Sequence, residues 1–250
     1  MTSTISFAAA VPIGSWHAFI PKAFESLATQ EVSLAVALLD ASGDARVALA
    51  ADESRLPFAY RRHGPDKGQS DAIDEGWRET HGSVVFWLNG DDRLTPDALK
   101  RVNDLFEFNP GVDVVYGRSN FIDGRGRCIG HHDQIGVMSD LLYRSNIISQ
   151  PSCFVRRSAL NSIQGIDKSL HYVMDWDLWI RLYRNGARFL HTNDTYSEVY
   201  VGRDTKTGAV SPDRLAEVFN LVRRHAGYWS ALKSTISLAS HTLQTRRKHA

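Results

Sequence analysis

Ser83-Val84-Val85-Phe86-Trp87-Leu88-Asn89-Gly90-Asp91-Asp92-Arg93-Leu94-Thr95-Pro96-Asp97-Ala98-Leu99 is the stretch that decides the fold. Ser83 to Leu88 is an apolar run of strand length, rich in β-branched and aromatic side chains and bounded by polar turn formers. Such a run reads as a buried strand, central in a parallel sheet. It stops at Asn89-Gly90, which puts two neighbouring carboxylates, Asp91 and Asp92, at its carboxyl end. Thr95-Pro96-Asp97 then reads as a helix start, with an N-cap hydroxyl, proline at the first helical position and an acid in the first turn. Ligands of open α/β sheets bind at the carboxyl ends of strands. Two acids placed there repel each other unless a cation sits between them. A hard divalent ion held by one or two carboxylates and by substrate phosphates meets that need. The competing reading makes both acids ordinary turn residues, because Asn-Gly and Gly-Asp form turns on their own account.

Composition narrows the class. A chain of 250 residues is one large domain, or a domain with an appendage, and buries a substantial core. Its 43% hydrophobic and 23% charged content is that of a globular protein, and a net charge of +1 gives no global reason to expect nucleic acid. The two cysteines, Cys128 and Cys153, fall in different elements, so a reducing compartment suits them better than a disulfide scaffold. Cys153 reads as a small buried hydrophobe. Ile5 to Ile13 is apolar but lacks a basic flank and reads as a first strand, not a signal peptide. No apolar run is long enough to span a bilayer. The expected location is cytoplasmic, with peripheral contact at the inner face of the membrane as an option.

Taken in order, Ile5–Pro12 is a strand, Pro21–Thr29 a helix and Leu34–Leu39 a second strand, with Asp40–Asp44 as its turn. Strand, helix and strand with short connections make a parallel unit. Phe58–Arg61 reads as a third strand. His63-Gly64-Pro65-Asp66-Lys67-Gly68 is a loop, and Ser70 is placed to cap a helix running to Thr80. A glycine-rich loop opening a helix favours anions, although the Gly-Lys-Ser/Thr ending of a Walker loop is absent. Ala98, Val102, Leu105 and Phe106 form a helical stripe, and Val112–Tyr116 is a strand. Asn120–Ile129 is a hairpin around Gly124-Arg125-Gly126, and Met138–Arg144 is a short helix. In His171 to Leu182, Asp175, Leu178, Trp179 and Leu182 share a packed helical face, with Asp175 at the helix start. Locally, that acid is a helix cap or a catalytic group.

Asp66-Lys67-Gly68-Gln69-Ser70-Asp71-Ala72-Ile73-Asp74-Glu75-Gly76, together with Trp87 to Asp92, closely resembles the nucleotide-sugar domain of glycosyltransferase family 2. The resemblance runs through about the first 200 residues of the chain. It implies a GT-A fold: a Rossmann-like α/β architecture with a mixed, mostly parallel central sheet flanked by helices, here followed by a helical extension. The implied domain is 1–208, with a nucleotide-sugar half of about 1–117, an acceptor half of about 118–208, and the extension at 209–250. It implies an inverting transferase that moves a sugar from a nucleoside diphosphate to a saccharide or lipid-linked acceptor, in the setting of bacterial surface polysaccharide or glycolipid assembly.

The same resemblance assigns Pro12, Asp40, Asp66, Asp71 and Asp91 to the nucleotide sugar, with Asp40 at the nucleobase, and Asp91 and Asp92 to Mn²⁺ or Mg²⁺. For Asp40 and Asp71 the alternatives are a turn cap and a first-turn acid favoured by the helix dipole. Gln150-Pro151 matches the family's strand at the acceptor cleft. The family's Glu-Asp-x-Asp-Leu falls on Met174-Asp175-Trp176-Asp177-Leu178, which makes Asp175 the expected base and leaves Asp177 to pair with Arg181. Trp176 and Trp179 offer apolar surface that stacks on a sugar or packs in the core. Aligning on Thr205-Lys206-Thr207 puts Gly202 where the family carries a metal-binding histidine, so that ligand is missing; Arg203 or Asp204 could substitute in neutralising the diphosphate. His191 reads as structural.

From Pro212, one helix carries Leu215, Val218, Phe219 and Val222 to Gly227, and a second carries Trp229, Leu232, Ile236, Ala239 and Leu243 into a basic tail. A polar face of Ser and Thr favours packing of the second stripe, against the domain or, as a dimer, against a second subunit, over contact with an anionic membrane surface. Two rival functions stay open: a nucleotidyltransferase, which would want a basic glycine-rich loop that Val11-Pro12-Ile13-Gly14 does not supply, and a degenerate nucleotide-sugar binding module, suggested by Met174 and Gly202.

Overall fold

The computed structural model describes residues 5–131, 136–202 and 211–248, with side chains to 240. Strands β1 (Phe7–Ile13), β2 (Leu34–Asp40), β3 (Phe58–His63) and β4 (Val84–Trp87) alternate with helices α1 (Ile20–Ala28), α2 (Ala45–Glu53) and α3 (Gln69–Glu79). They pair in parallel in the order β3-β2-β1-β4. All seven residues of β1 are buried, which explains its unbroken apolar sequence. The strand alternates sides. Ala8 and Ala10 face the cluster that holds Trp77, Trp87 and Trp179, while Phe7, Ala9 and Val11 face the one that holds Phe24, Phe86 and Phe106. The alanines let α3 lie close: a Cβ on Gly76 would stand 2.8 Å from the Ala10 Cβ.

Beyond β4 the sheet changes character. β5 (Arg93–Leu94), helix α4 (Ala98–Phe108), β6 (Val114–Ile122), β7 (Cys128–His131), β8 (Cys153–Arg156) and β9 (Phe189–Tyr200) complete the order β3-β2-β1-β4-β8-β6-β9-β5, with β7 on β6. β8 is antiparallel to both β4 and β6, and β9 is parallel to β6. β6 and β7 form the expected hairpin. β6 runs unbroken through position 117, pairing with β8 before it and with β7 after it. Helices α5 (Arg157–Ser162), α6 (Met174–Arg184), α7 (Pro212–Ala226) and α8 (Tyr228–Lys248) finish the chain.

Four local expectations are corrected. α4 does not start on a Thr95 cap: Thr95 turns its hydroxyl to the Thr195 carbonyl (2.9 Å), and Asp97 adopts a left-handed conformation (φ 55°) just before the helix. The Leu99 N–H is met instead by the Gln30 side chain (3.0 Å), reaching over from the end of α1. Ser70 is not the cap of α3, because its hydroxyl donates to the Leu170 carbonyl at 2.6 Å. Helix α2 was not anticipated; Asp44, the last residue of the expected turn, caps it through the Arg46 N–H at 3.0 Å. Finally, Trp229, Leu232 and Ile236 of the second C-terminal stripe are not packed against the domain. Trp229 and Ile236 are 74% and 59% exposed, whereas Ala231, on the opposite side of α8, is wholly buried.

Candidate functional site

The carboxyl ends of β1, β2 and β4 lie side by side in the sheet, and the predicted acids gather along that edge. At the end of β4, Asn89 joins three elements. It accepts from Gln69 at the start of α3 (2.8 Å) and donates to Asp92 (3.1 Å) and to Gln150 (3.3 Å). Gln150, on the short turn before β8, donates in turn to the Trp87 carbonyl (2.8 Å). Gln150 is therefore a bracket between strand end and turn, with both ends of its amide engaged.

Asp91 and Asp92 have different surroundings. Asp92 is 4% exposed and accepts from the Tyr200 N–H (3.3 Å) as well as from Asn89. Burial pushes its carboxyl well above the ordinary range, and the charge of Asp91 adds to the effect. Asp91 is half-buried. Crowded, partly desolvated acids are a donor set that suits a hard divalent cation completed by phosphate oxygens. Of the two carboxylates, Asp91 is the more accessible. Among the described residues, no group of three or more His, Cys, Asp or Glu is placed to hold a metal. Gly202 lies two residues beyond Tyr200, whose N–H reaches Asp92. Arg203, Asp204 and Thr205-Lys206-Thr207 lie outside the described residues.

Asp40 ends β2 beside the end of β3. It is 3% exposed, and its oxygens accept from the Ser42 N–H (2.9 Å) and hydroxyl and meet the His63 Nδ1 (2.8 Å). The exposed member of this pair is His63, at 40%. Asp66 accepts from the Gly68 N–H (2.8 Å), holding the loop into α3, and Asp71 stands 3.6 Å from Lys168. Pro12 is buried in β1, in register with Leu39 of β2, one residue short of the strand end.

The start of α6 adjoins this edge. Gly68 lies against the His171 ring, where an added Cβ would come within 3.5 Å. Asp175 lies in the first turn of α6, and its Oδ2 accepts from the Asn146 amide at 2.9 Å. The carboxylate lies close enough to Cys153 to reinforce the upward shift that burial imposes on that thiol. Asp177 is 1% exposed and pairs with Arg181 at 2.6 Å, the expected i, i+4 contact.

Of their two readings, both tryptophans take core packing. Trp179 is wholly buried and stacked on Trp87 (5.9 Å, 18°), and Trp176 is 6% exposed with its indole N–H on the Leu142 carbonyl (2.6 Å). Neither presents a free ring face for stacking on a sugar, because α6 is apolar on most of its sides and buries nearly all of them.

Several contributors were not legible. Asn89 reads as a turn former, and Asn146 carries no motif. α7 supplies two groups from far along the chain. Glu217 accepts from the consecutive N–H groups of His171 (3.0 Å), Tyr172 (2.7 Å) and Val173 (3.2 Å) immediately before α6. Arg214 feels the Asp175 charge, which opposes the lowering of its pKa by burial.

Known proteins are similar to this chain in sequence and in fold. Residues 17–163 match the model of glycosyl transferase family 2. The chain is 26% identical over 156 residues to the chondroitin synthase of Escherichia coli, covering 62% of this chain and 22% of that protein. It is 30% identical over 130 residues to a PGL/p-HBAD biosynthesis glycosyltransferase of Mycobacterium bovis BCG, covering 50% of this chain and 49% of that one. The chain thus spans about a fifth and about half of the lengths of these relatives. In structure it resembles Staphylococcus aureus TarS solved with UDP-GlcNAc, with a TM-score of 0.70 at 18% identity over 88% of this chain and 66% of that one. It also resembles the mannosyltransferase PcManGT of Pyrobaculum calidifontis solved with GDP-Man and Mn²⁺, with a TM-score of 0.60 at 12% identity over 97% of this chain and 76% of that one. These folds carry a mixed sheet of the same GT-A kind, and the family model covers more than half of the sequence; the chain belongs to glycosyl transferase family 2.

Proposed function

We propose that this chain transfers a sugar from a nucleoside diphosphate sugar to an acceptor hydroxyl, saccharide or lipid-linked, with inversion at the anomeric carbon. One arrangement supports the reading: Gln69, Asn89, Asp92 and Gln150 form a hydrogen-bonded chain at the end of β4, where Asp91 lies half-buried, and Asp175 stands in the first turn of α6. The nucleoside diphosphate lies along the ends of β1, β2 and β4, near Pro12, the Asp40–His63 pair and the Asp66–Asp71 loop. Asp91, backed by Asp92, would hold Mn²⁺ or Mg²⁺; such an ion supplies positive charge to a leaving diphosphate. Asn146 donates to Asp175 Oδ2 and orients the carboxylate that would take the acceptor proton. The acceptor oxygen bonds to the anomeric carbon as the bond to the diphosphate breaks, and the electron pair departs with the nucleoside diphosphate.

The first test is thermal stabilisation by a panel of UDP-, GDP- and dTDP-sugars with Mn²⁺, Mg²⁺ or EDTA, since bound ligand raises apparent stability by mass action. A metal-dependent shift with one nucleotide is expected. Asp175→Asn should keep that shift and lose transfer to an acceptor panel. Wild-type turnover in this variant would remove Asp175 as base. No shift with any donor would leave a family member without a donor site.

A further inference from the structure

The outward side of α8 carries an exposed apolar stripe, flanked by exposed Lys233, Ser237 and Ser240, where the sequence pattern favours packing. Trp229, Leu232 and Ile236 recur at three and four residues, share one face, and are 74%, 36% and 59% exposed; Tyr228 beside them is 56% exposed. The inward side is committed: Ala231 is wholly buried, and Ser234 donates to the Arg144 carbonyl at 2.8 Å. On the segment that Ser234 touches, Val137 and Leu141 are also exposed, at 74% and 54%. Charge completes the pattern. From Tyr228 to Ala250 there is no Asp or Glu, while Lys233, Arg246, Arg247 and Lys248 are basic. With a net charge of +1 for the whole chain, this helix sets a cationic pole against a slightly acidic remainder.

We propose that α8 docks flat on an anionic lipid surface, with Trp229, Leu232 and Ile236 entering the headgroup boundary, exposed Lys233 meeting lipid phosphates, and the net positive charge of the segment favouring the anionic surface. Interfacial helices combine an apolar face, Trp or Tyr at headgroup depth and Lys or Arg for the surface potential. The helix is not a membrane span: among the described residues, no helix is long and apolar enough to cross a bilayer. A seam between two copies fits less well, because two such helices would set like charges together with no acid on either. Docking here also places the surface behind the 140–146 segment, whose Asn146 holds Asp175. The lipid contact itself does not depend on the transfer reaction.

The test is flotation of the full-length protein with vesicles of phosphatidylcholine alone or mixed with phosphatidylglycerol. Binding to the mixed vesicles, weakened by salt, is expected. The double variant Trp229→Ser, Ile236→Ser changes only exposed positions, so its melting temperature should stay with the wild type while its vesicle partition falls about tenfold or more. Failure to bind mixed vesicles, or binding that the double variant retains, overturns the proposal. A concentration-dependent dimer in sedimentation velocity that the double variant abolishes also overturns it, in favour of a second copy.

Discussion

Replacing Glu217 by alanine tests how α7 holds the start of the helix that carries Asp175. One carboxylate receives three consecutive N–H groups, at 3.0, 2.7 and 3.2 Å, in the manner of an anion in a backbone nest. A hydrogen bond to a charged group contributes about 1.5–3 kcal/mol when buried. Here the His171 end is open to water, which takes over part of the solvation when the carboxylate is removed. Replacing a capping side chain by alanine costs about 1 kcal/mol and up to about 2. Three donors on one acceptor, two of them partly buried, put Glu217→Ala at the upper end, about 2 kcal/mol. For a chain of this size that lowers Tm by about 4–8 °C. Glu217→Gln keeps an acceptor oxygen without the charge and should lose about half as much. The assay pairs a thermal melt with hydrogen exchange of the peptide from His171 to Asp177, which should exchange faster in the alanine variant. A melt within about 1 °C of wild type, with unchanged exchange in that peptide, would refute the reasoning.

His225 of α7 accepts from Arg184 at Nδ1 (3.2 Å), and burial first, then the Arg184 charge, hold its pKa below the ordinary 6.5. With the folded value depressed, its contribution to stability is whole above the unfolded pKa and is lost as pH falls through the folded one. The drop in Tm between about pH 7.5 and pH 5.5 should therefore be smaller in His225→Gln than in wild type; an identical drop would assign the acid sensitivity elsewhere. Ser119 meets the hydroxyls of Ser149 (2.7 Å), Ser152 (2.9 Å) and Ser197 (2.7 Å) in a buried cluster joining β6, β9 and the turn before β8. Ser119→Ala orphans the Ser149 hydroxyl and should cost about 1–3 kcal/mol in urea unfolding. A loss below about 0.5 kcal/mol would mean that the remaining hydroxyls re-pair without it.

The legible features had local causes. Phe7–Ile13 and Val84–Trp87 announce themselves because strands buried on both faces carry unbroken apolar runs. Asp91-Asp92 at a strand end, Asp175 at a helix start and the Asp177–Arg181 pair all follow from chain order and helical spacing. The failures share a different cause. In α6, Met174, Trp176, Asp177, Leu178, Trp179, Ile180 and Leu182 are all buried, so periodicity cannot single out a ring left free for a ligand. Thr95 looks like a cap, yet a neighbouring strand takes its hydroxyl and a glutamine from α1 does the capping. In α8 the apolar stripe is real, but a stripe does not say whether protein or something else covers it.

The sequence by itself determined most of the strands and helices, α2 excepted, and which acids end them, because backbone preference and side-chain period act over a few residues. Only the tertiary structure decided that Asn89 joins α3, β4 and the Gln150 turn, that Asn146 and Glu217 hold the start of α6, and that α8 turns its tryptophan outward. Those contacts join residues tens of positions apart, and their partners are chosen by packing across the whole sheet, which no local pattern encodes.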